Sequence, residues 1–349
     1  MALYDIFFGT YSKGADNGLF RGAFNSSYGE IDLISTLDIE NPSYLQLNNS
    51  ILYGVSELSS FNGENGGALF SVDIKAHEKM RLVDINATHG KHPCHLYIKE
   101  NYIFVSNYSE GSLSIFYTDI SGCIQPSFQS IYHFGSSVRK DRQESSHIHF
   151  AAVTPDDKFL AVCDLGMDKI FLYPYNAQNV ISTNAEIIEC PHGSGPRHLT
   201  FSACGKFMYV LTELSNTVLV YQYNKDGVRL LQEISTLSGD FKNSSTAAAI
   251  HLSVCGKYIA ASNRGNDMNG ADSIALYSIA DNGRLELAEF IMTGKGPRDF
   301  RFSPCGNWLL SANQNDDSVT VYSINDSFKK TGVFNLPKPV CILFGEING

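Results

Sequence analysis

A segment that comes back about every fifty residues constrains this chain more than any other feature. Gly195-Pro196-Arg197 opens one copy and Gly296-Pro297-Arg298 opens another, 101 residues later. Ala249-Ile250-His251-Leu252-Ser253 stands between them. A Cys-Gly pair follows each opening, at Cys204-Gly205, Cys255-Gly256 and Cys305-Gly306, spaced by 51 and 50 residues. Each copy then runs through a β-rich stretch to a polar corner, at Glu213, Arg264 and Gln314, again 51 and 50 residues apart. A fixed period of this kind marks a repeat architecture. At the corner the scaffold position recurs while its chemistry changes from carboxylate to guanidinium to amide, which points to a place used for chemistry.

Within one copy, His198-Leu199-Thr200-Phe201 and residues 207–211, 218–223 and 228–232 read as strands. The turns between them, such as Ser215-Asn216-Thr217 and Asn224-Lys225-Asp226-Gly227, are short enough to make neighbours antiparallel. Weaker copies open near Asn41-Pro42, at His92-Pro93 and at Ser146-His147-Ile148-His149. A last inner strand, 340–344, lacks its later partners, while the chain begins with unassigned strands at 4–8 and 18–24. Joining the two ends completes a seventh sheet. The predicted fold is all-β: a seven-bladed β-propeller of four-stranded antiparallel sheets, one domain over residues 1–349, closed by pairing of the N- and C-terminal strands. Closure protects edges that would otherwise invite aggregation. An open solenoid is the competing architecture. The Trp-Asp dipeptide of one propeller class is missing, and a single Gly66-Gly67 is weak support for the kelch class.

Hydrophobic residues make up 43% of the chain and aromatic residues 12%, enough for a sizeable β-rich core. A net charge of −10 opposes binding to nucleic acid or an acidic membrane surface, yet a local arginine cluster could still hold a small anion. The N-terminus has no basic segment followed by a long apolar run, and no stretch approaches the length of a membrane span. The expectation is a cytoplasmic protein. Eight cysteines contain no C-x-x-C pair, and three share one turn position, so reduced thiols and no cysteine-bound metal are expected.

In an antiparallel meander, the start of the first strand and the end of the second lie at the same rim. The openings carry His149, Arg197, His198 and Arg298; the second-strand ends carry Asp164, Glu213, Arg264, Asn313 and Gln314. These positions are expected to gather at one mouth of a central channel. Plainer readings stand beside this one. Arg197 and Arg298 could tie blades together, His198 and His251 could be framework hydrogen-bonders, Glu213 a solvated corner, His147 exposed or structural, and Asp164 a turn cap. The loop 135–145, with Arg139, Lys140 and Arg142, is either an anion-binding insertion or a solvated loop. Residues 266–272 could border the same mouth. His147 and His149 alternate and would share a strand face, but no third metal ligand is indicated.

Taken together, Gly193-Ser194-Gly195-Pro196-Arg197-His198, Thr212-Glu213-Leu214-Ser215-Asn216, Ala249-Ile250-His251, Ser262-Asn263-Arg264 and Gly296-Pro297-Arg298 resemble the seven-bladed propeller lactonase family. Thr154-Pro155-Asp156-Asp157 followed by Asp164-Leu165-Gly166 also fits. The likeness covers almost the whole chain. It implies opening of the δ-lactone of 6-phosphogluconate in the pentose phosphate pathway, although a fungal relative of the same architecture cyclises carboxymuconate. It also implies that His149, Arg197, Glu213 and Arg264 match the family's catalytic cluster. Family turns often read Pro-Asp-Gly where this chain has Ala203-Cys204-Gly205, Val254-Cys255-Gly256 and Pro304-Cys305-Gly306.

Lactone hydrolysis needs a base for water, donors for an oxyanion and a hold on the substrate. His149 and Glu213 are the candidate bases, His149 favoured slightly because imidazole titrates near working pH. Arg197 and Arg264 can stabilise an oxyanion or grip a phosphate. His198, His251, Arg298 and Gln314 are candidate substrate contacts. There is no nucleophile elbow, zinc helix motif or P-loop. The expected activity is a cofactor-free, metal-free hydrolysis of a small anionic sugar lactone. A lactone-forming cycloisomerase and a non-catalytic protein-binding propeller are the alternatives.

Overall fold

Strands joined by turns of a few residues have little choice but to pair with their chain neighbours. Among the described residues, the computed structural model shows seven large antiparallel sheets built this way, and a small hairpin of Ser60–Phe61 with Glu64–Asn65. It describes residues 2–12, 18–76, 79–176, 180–181, 184–239, 241, 244–265 and 272–347. The chain divides into two compact units, residues 1–133 with 299–349, and residues 134–298.

The first unit contains the sheet that joins the chain ends. Leu3–Thr10 pairs with Leu19–Asn25 on one side and with Pro339–Ile347 on the other, and Glu30–Leu37 forms the outer edge. The expected closure by terminal strands is therefore present. Three further sheets follow the same meander: Pro42–Asn48 to Arg81–Ala87, Pro93–Lys99 to Ile124–Tyr132, and Pro297–Phe302 to Lys329–Asn335. The unit boundary falls inside Pro297–Phe302. Trp308 packs edge-on against Phe24, and its indole N–H donates to the Ser26 carbonyl at 2.8 Å. That bond satisfies the polar end of an otherwise buried ring.

The second unit holds three sheets. The first runs Ile148–Val153, Phe159–Asp164, Lys169–Asn176, with Glu186–Glu189 beside the last of these and a short Val180–Ile181 segment at its far end. The second is Pro196–Phe201, Phe207–Thr212, Thr217–Asn224 and Gly227–Ser235; the third is Ser245–Leu252, Tyr258–Gly265, Ser273–Ile279 and Leu285–Met292. Inner strands such as Phe207–Thr212 are buried on both faces, while Gly227–Ser235 mixes exposed and half-buried positions. The reason is face-to-face packing of neighbouring sheets. Ala161, Cys163 and Leu172 of one sheet meet Leu199, Val210 and Leu219 of the next, and Leu211, Val218 and Val220 meet Ala247, Ile250 and Ile259.

Seven four-stranded antiparallel sheets make this fold a seven-bladed β-propeller. Some boundaries differ from the sequence reading. The strand expected at Ala249 begins at Ser245 and carries a register shift between Ala247 and Ile250. Arg264 lies inside its strand, whereas Glu213 follows one and Gln314 starts a 3-10 turn, Gln314–Asp316. No helix among the described residues is long and apolar enough to cross a membrane. No disulfide joins any of the eight cysteines.

Candidate active site

The site in the second unit is built from a corner that the backbone holds in place. The Glu213 N–H donates to the Gly195 carbonyl at 2.7 Å, and the Glu213 carbonyl accepts the Ala247 N–H at 3.1 Å. The corner therefore links two openings of successive sheets. Gly195 has a φ of +65°, and a Cβ there would stand 2.7 Å from Leu214 Cγ, so only glycine suits this approach.

The Glu213 carboxylate is nearly fully buried and faces three arginines. Arg197 Nε stands 2.8 Å from Oε2, Arg264 Nη2 stands 3.3 Å from the same oxygen, and Arg142 Nη2 stands 2.6 Å from Oε1. Arg197 also donates through Nη1 to the Ala248 carbonyl, and that nitrogen lies 3.2 Å from His198 Nε2. Arg264 donates to the Ala247 carbonyl at 3.1 Å. Carbonyls exposed by the irregular start of Ser245–Leu252 thus help to aim both guanidiniums. His149 sits on Ile148–Val153 with its ring edge-on to His198, centroids 5.2 Å apart.

These neighbours set the protonation states. Burial pushes the Glu213 carboxyl up, but Arg264, Arg197 and Arg142 together outweigh it and hold the group far below the ordinary carboxylate range. Glu213 is therefore an anion at any working pH and a weak proton acceptor. Burial pushes His149 well below the usual imidazole value; Arg197 and Arg298 add to that, while Glu213 opposes it. His149 is accordingly a neutral imidazole near pH 7.

His149, Arg197, Glu213, Arg264 and His198 come together in this cluster, and Arg298 acts on His149 through its charge. His251 is placed differently along its strand: it pairs with Ala260, whereas Arg264 pairs with Thr246. Gln314 belongs to the first unit. Asn313, also in that unit, is buried and donates to Ser318 and Thr320 hydroxyls. Asp164 accepts the Ser146 hydroxyl and the backbone N–H groups of His147 and Met167, so it caps a turn. His147 is buried, not exposed, with Nε2 3.3 Å from Glu144 Oε1. Residues 266–271, read from sequence as a rim extension, lie outside the described residues. Among the described residues no group of three or more His, Cys, Asp or Glu is placed to hold a metal ion.

Sequence reasoning noticed Arg142 only as one charge of a loop; its bond to Glu213 spans 71 residues and has no local signature. It missed Asp168 altogether. That buried carboxylate accepts the Gly193 and Gly195 N–H groups at 2.6 and 2.7 Å and fixes the turn that leads into Arg197.

Residues 5–344 match the family described as "Lactonase, 7-bladed beta-propeller". The chain is 30% identical over 362 residues to the 6-phosphogluconolactonase of Bacillus subtilis, covering 99% of each chain. It is 34% identical over 328 residues to the 6-phosphogluconolactonase of Formosa agariphila, covering 91% of each. The solved structure of the Pseudomonas aeruginosa periplasmic gluconolactonase superposes with a TM-score of 0.91 at 28% identity, covering 99% of this chain and 100% of that one. A propeller of seven sheets, a carboxylate set among arginines beside a neutral histidine, and a family match over nearly the whole length agree: this chain belongs to the lactonase family of seven-bladed β-propellers and is a lactone hydrolase.

Proposed function

We propose that the chain hydrolyses 6-phosphoglucono-δ-lactone to 6-phosphogluconate, the lactone-opening step of the pentose phosphate pathway, as a single-domain cytoplasmic enzyme that needs no cofactor. The observation that carries this reading is local charge. Arg142, Arg197 and Arg264 surround Glu213, so three guanidiniums face one carboxylate, and Arg298 adds its field at the neighbouring His149, in a chain whose net charge is −10. Such an excess suits an anionic substrate. The names of the Bacillus and Formosa relatives support the phosphorylated lactone.

In this reading neutral His149 takes a proton from water as the water oxygen bonds to the lactone carbonyl carbon. Arg197 and Arg264 stabilise the oxyanion that forms. Collapse of the tetrahedral species breaks the bond to the ring oxygen, and the imidazolium returns its proton to that oxygen, leaving a hydroxyl and a carboxylic acid, which loses its proton to solvent to give the carboxylate. Glu213 stays ionised and holds the arginines in position. His198 and Arg298 line the substrate; His251 and Gln314 take no assigned part.

The test is initial rates on glucono-δ-lactone with and without a 6-phosphate, with spontaneous opening subtracted. The expected result is enzyme-dependent opening of both and a clear preference for the phosphorylated one. Rates equal to spontaneous opening overturn the reading. Preference for the plain lactone, the compound class named for the Pseudomonas protein, overturns its substrate and pathway.

A further inference from the structure

Arg142 reaches the cluster from a loop, and that distinguishes it from the strand-borne Arg264 and Arg197. About a third of its side chain is exposed (34%), against 4% for Arg197 and 15% for Arg264. The two strand arginines share Glu213 Oε2, and Arg142 takes Oε1. Of the three guanidiniums on Glu213, this one, at the open edge, is best placed to meet a charged group on an incoming lactone. Its planar donors match phosphate oxygens.

The loop carrying Arg142 is tightly mounted. The Arg139 carbonyl accepts the N–H groups of Arg142 and Gln143, at 3.1 and 2.6 Å. Gln143 is fully buried; its Nε2 donates to the Leu165 carbonyl at 2.9 Å and to Asp168 Oδ1 at 2.7 Å, and its Oε1 accepts the Arg139 N–H. Asp168 Oδ2 accepts the Ser137 hydroxyl at 2.6 Å and the Gly193 N–H at 2.6 Å, while Oδ1 accepts the Gly195 N–H and the Ser194 hydroxyl. One buried carboxylate thus ties the Arg142 loop to the turn that delivers Arg197.

We propose that Arg142 is the residue by which this site selects an anionic lactone, and that Asp168 is the positioning residue that holds Arg142 in place. The inference rests on the proposed function and adds to it the group that reads the phosphate. Asp168 touches no substrate in this scheme; it acts through the loop.

The test measures kcat/KM for glucono-δ-lactone 6-phosphate and for glucono-δ-lactone in the wild type, R142Q, R142K, D168N and R142Q/D168N. R142Q lowers the ratio of phosphorylated to plain lactone by about ten- to a hundredfold, the range expected for one charged hydrogen bond, and does so mainly through KM. R142K restores part of the ratio. D168N lowers it in the same direction and changes it little further when Arg142 is already replaced. S137A, which removes one loop donor to Asp168, gives a smaller shift of the same sign and serves if D168N does not fold. A wild type that prefers the phosphorylated lactone, with R142Q keeping that preference, overturns this inference and leaves the proposed function standing. A wild type without the preference overturns both. Effects of D168N and R142Q that multiply in full, or equal losses on both lactones in D168N and S137A, overturn the positioning role.

Discussion

Glu213→Gln tests the electrostatic design of the site most directly. The substitution keeps size and shape but removes the charge that three guanidiniums contact at 2.6, 2.8 and 3.3 Å. Breaking a buried ion pair from one side costs about 3–5 kcal/mol, because the remaining charges stay desolvated. Unfolding entropy of about 2.1 cal/mol/K per residue, over 349 residues, is ~0.7 kcal/mol/K, so Tm should fall by about 4–7 °C. The sign with pH follows from the depressed carboxyl. Glu213 contributes stability above the ordinary carboxylate value and loses it only as pH falls through its lowered folded value. The gap between wild type and variant should therefore persist from pH 8 to about pH 5 and narrow only under stronger acid. The uncompensated arginines should also attract an anion. Inorganic phosphate at about ten times its Kd adds ~1.4 kcal/mol, or about 2 °C, and the gain should exceed the wild type's in chloride of equal ionic strength. The assay is thermal unfolding followed by circular dichroism, alongside lactone turnover. A variant within about 1 °C of wild type with undiminished activity would refute the reasoning.

Three further outcomes are expected. Because burial and Arg197 depress His149, its base form persists on acidification, and kcat/KM should stay level through the ordinary histidine value of about 6.5 and fall only in stronger acid; Glu213→Gln should move that limb lower, and His149→Ala should abolish it. A limb centred above the ordinary histidine value would argue against His149 as the base. Gly166→Ala should lower stability by about 1–3 kcal/mol and reduce turnover, since its Cβ would run into the Ser145 carbonyl just ahead of the strand that carries His149; unfolding and rate measurements check it. Deleting the chain from Pro339 onward strips the partner of Leu3–Thr10 and should yield aggregated protein; a soluble, monomeric product in size-exclusion chromatography would contradict the closure argument.

The fold was legible because its information is local and periodic. Cys-Gly turns fifty residues apart, alternating strands and short loops leave few arrangements for the chain other than repeated antiparallel sheets, and the orphan strands at both ends require each other. The core of the site was legible for a related reason. Arg197 and Glu213 occupy defined places in one repeat, so knowing the repeat predicts their meeting, seen at 2.8 Å. His251 obeyed the same logic less well, because the register shift between Ala247 and Ile250 separates it along the strand from the rung that bears Arg264.

Arg142 and Asp168 lay beyond that logic. One sits in a loop outside the repeat, and the other was indistinguishable from any turn aspartate before its five hydrogen bonds were visible. The amino-acid order alone decided the architecture and that Arg197 and Glu213 of one repeat would meet, since period and alternation act over a few residues at a time. Protonation and partner choice were decided only by the assembled unit. Whether Glu213 is a base or an anchored anion depends on how many guanidiniums converge on it and how little water reaches it, and both are properties of three-dimensional packing.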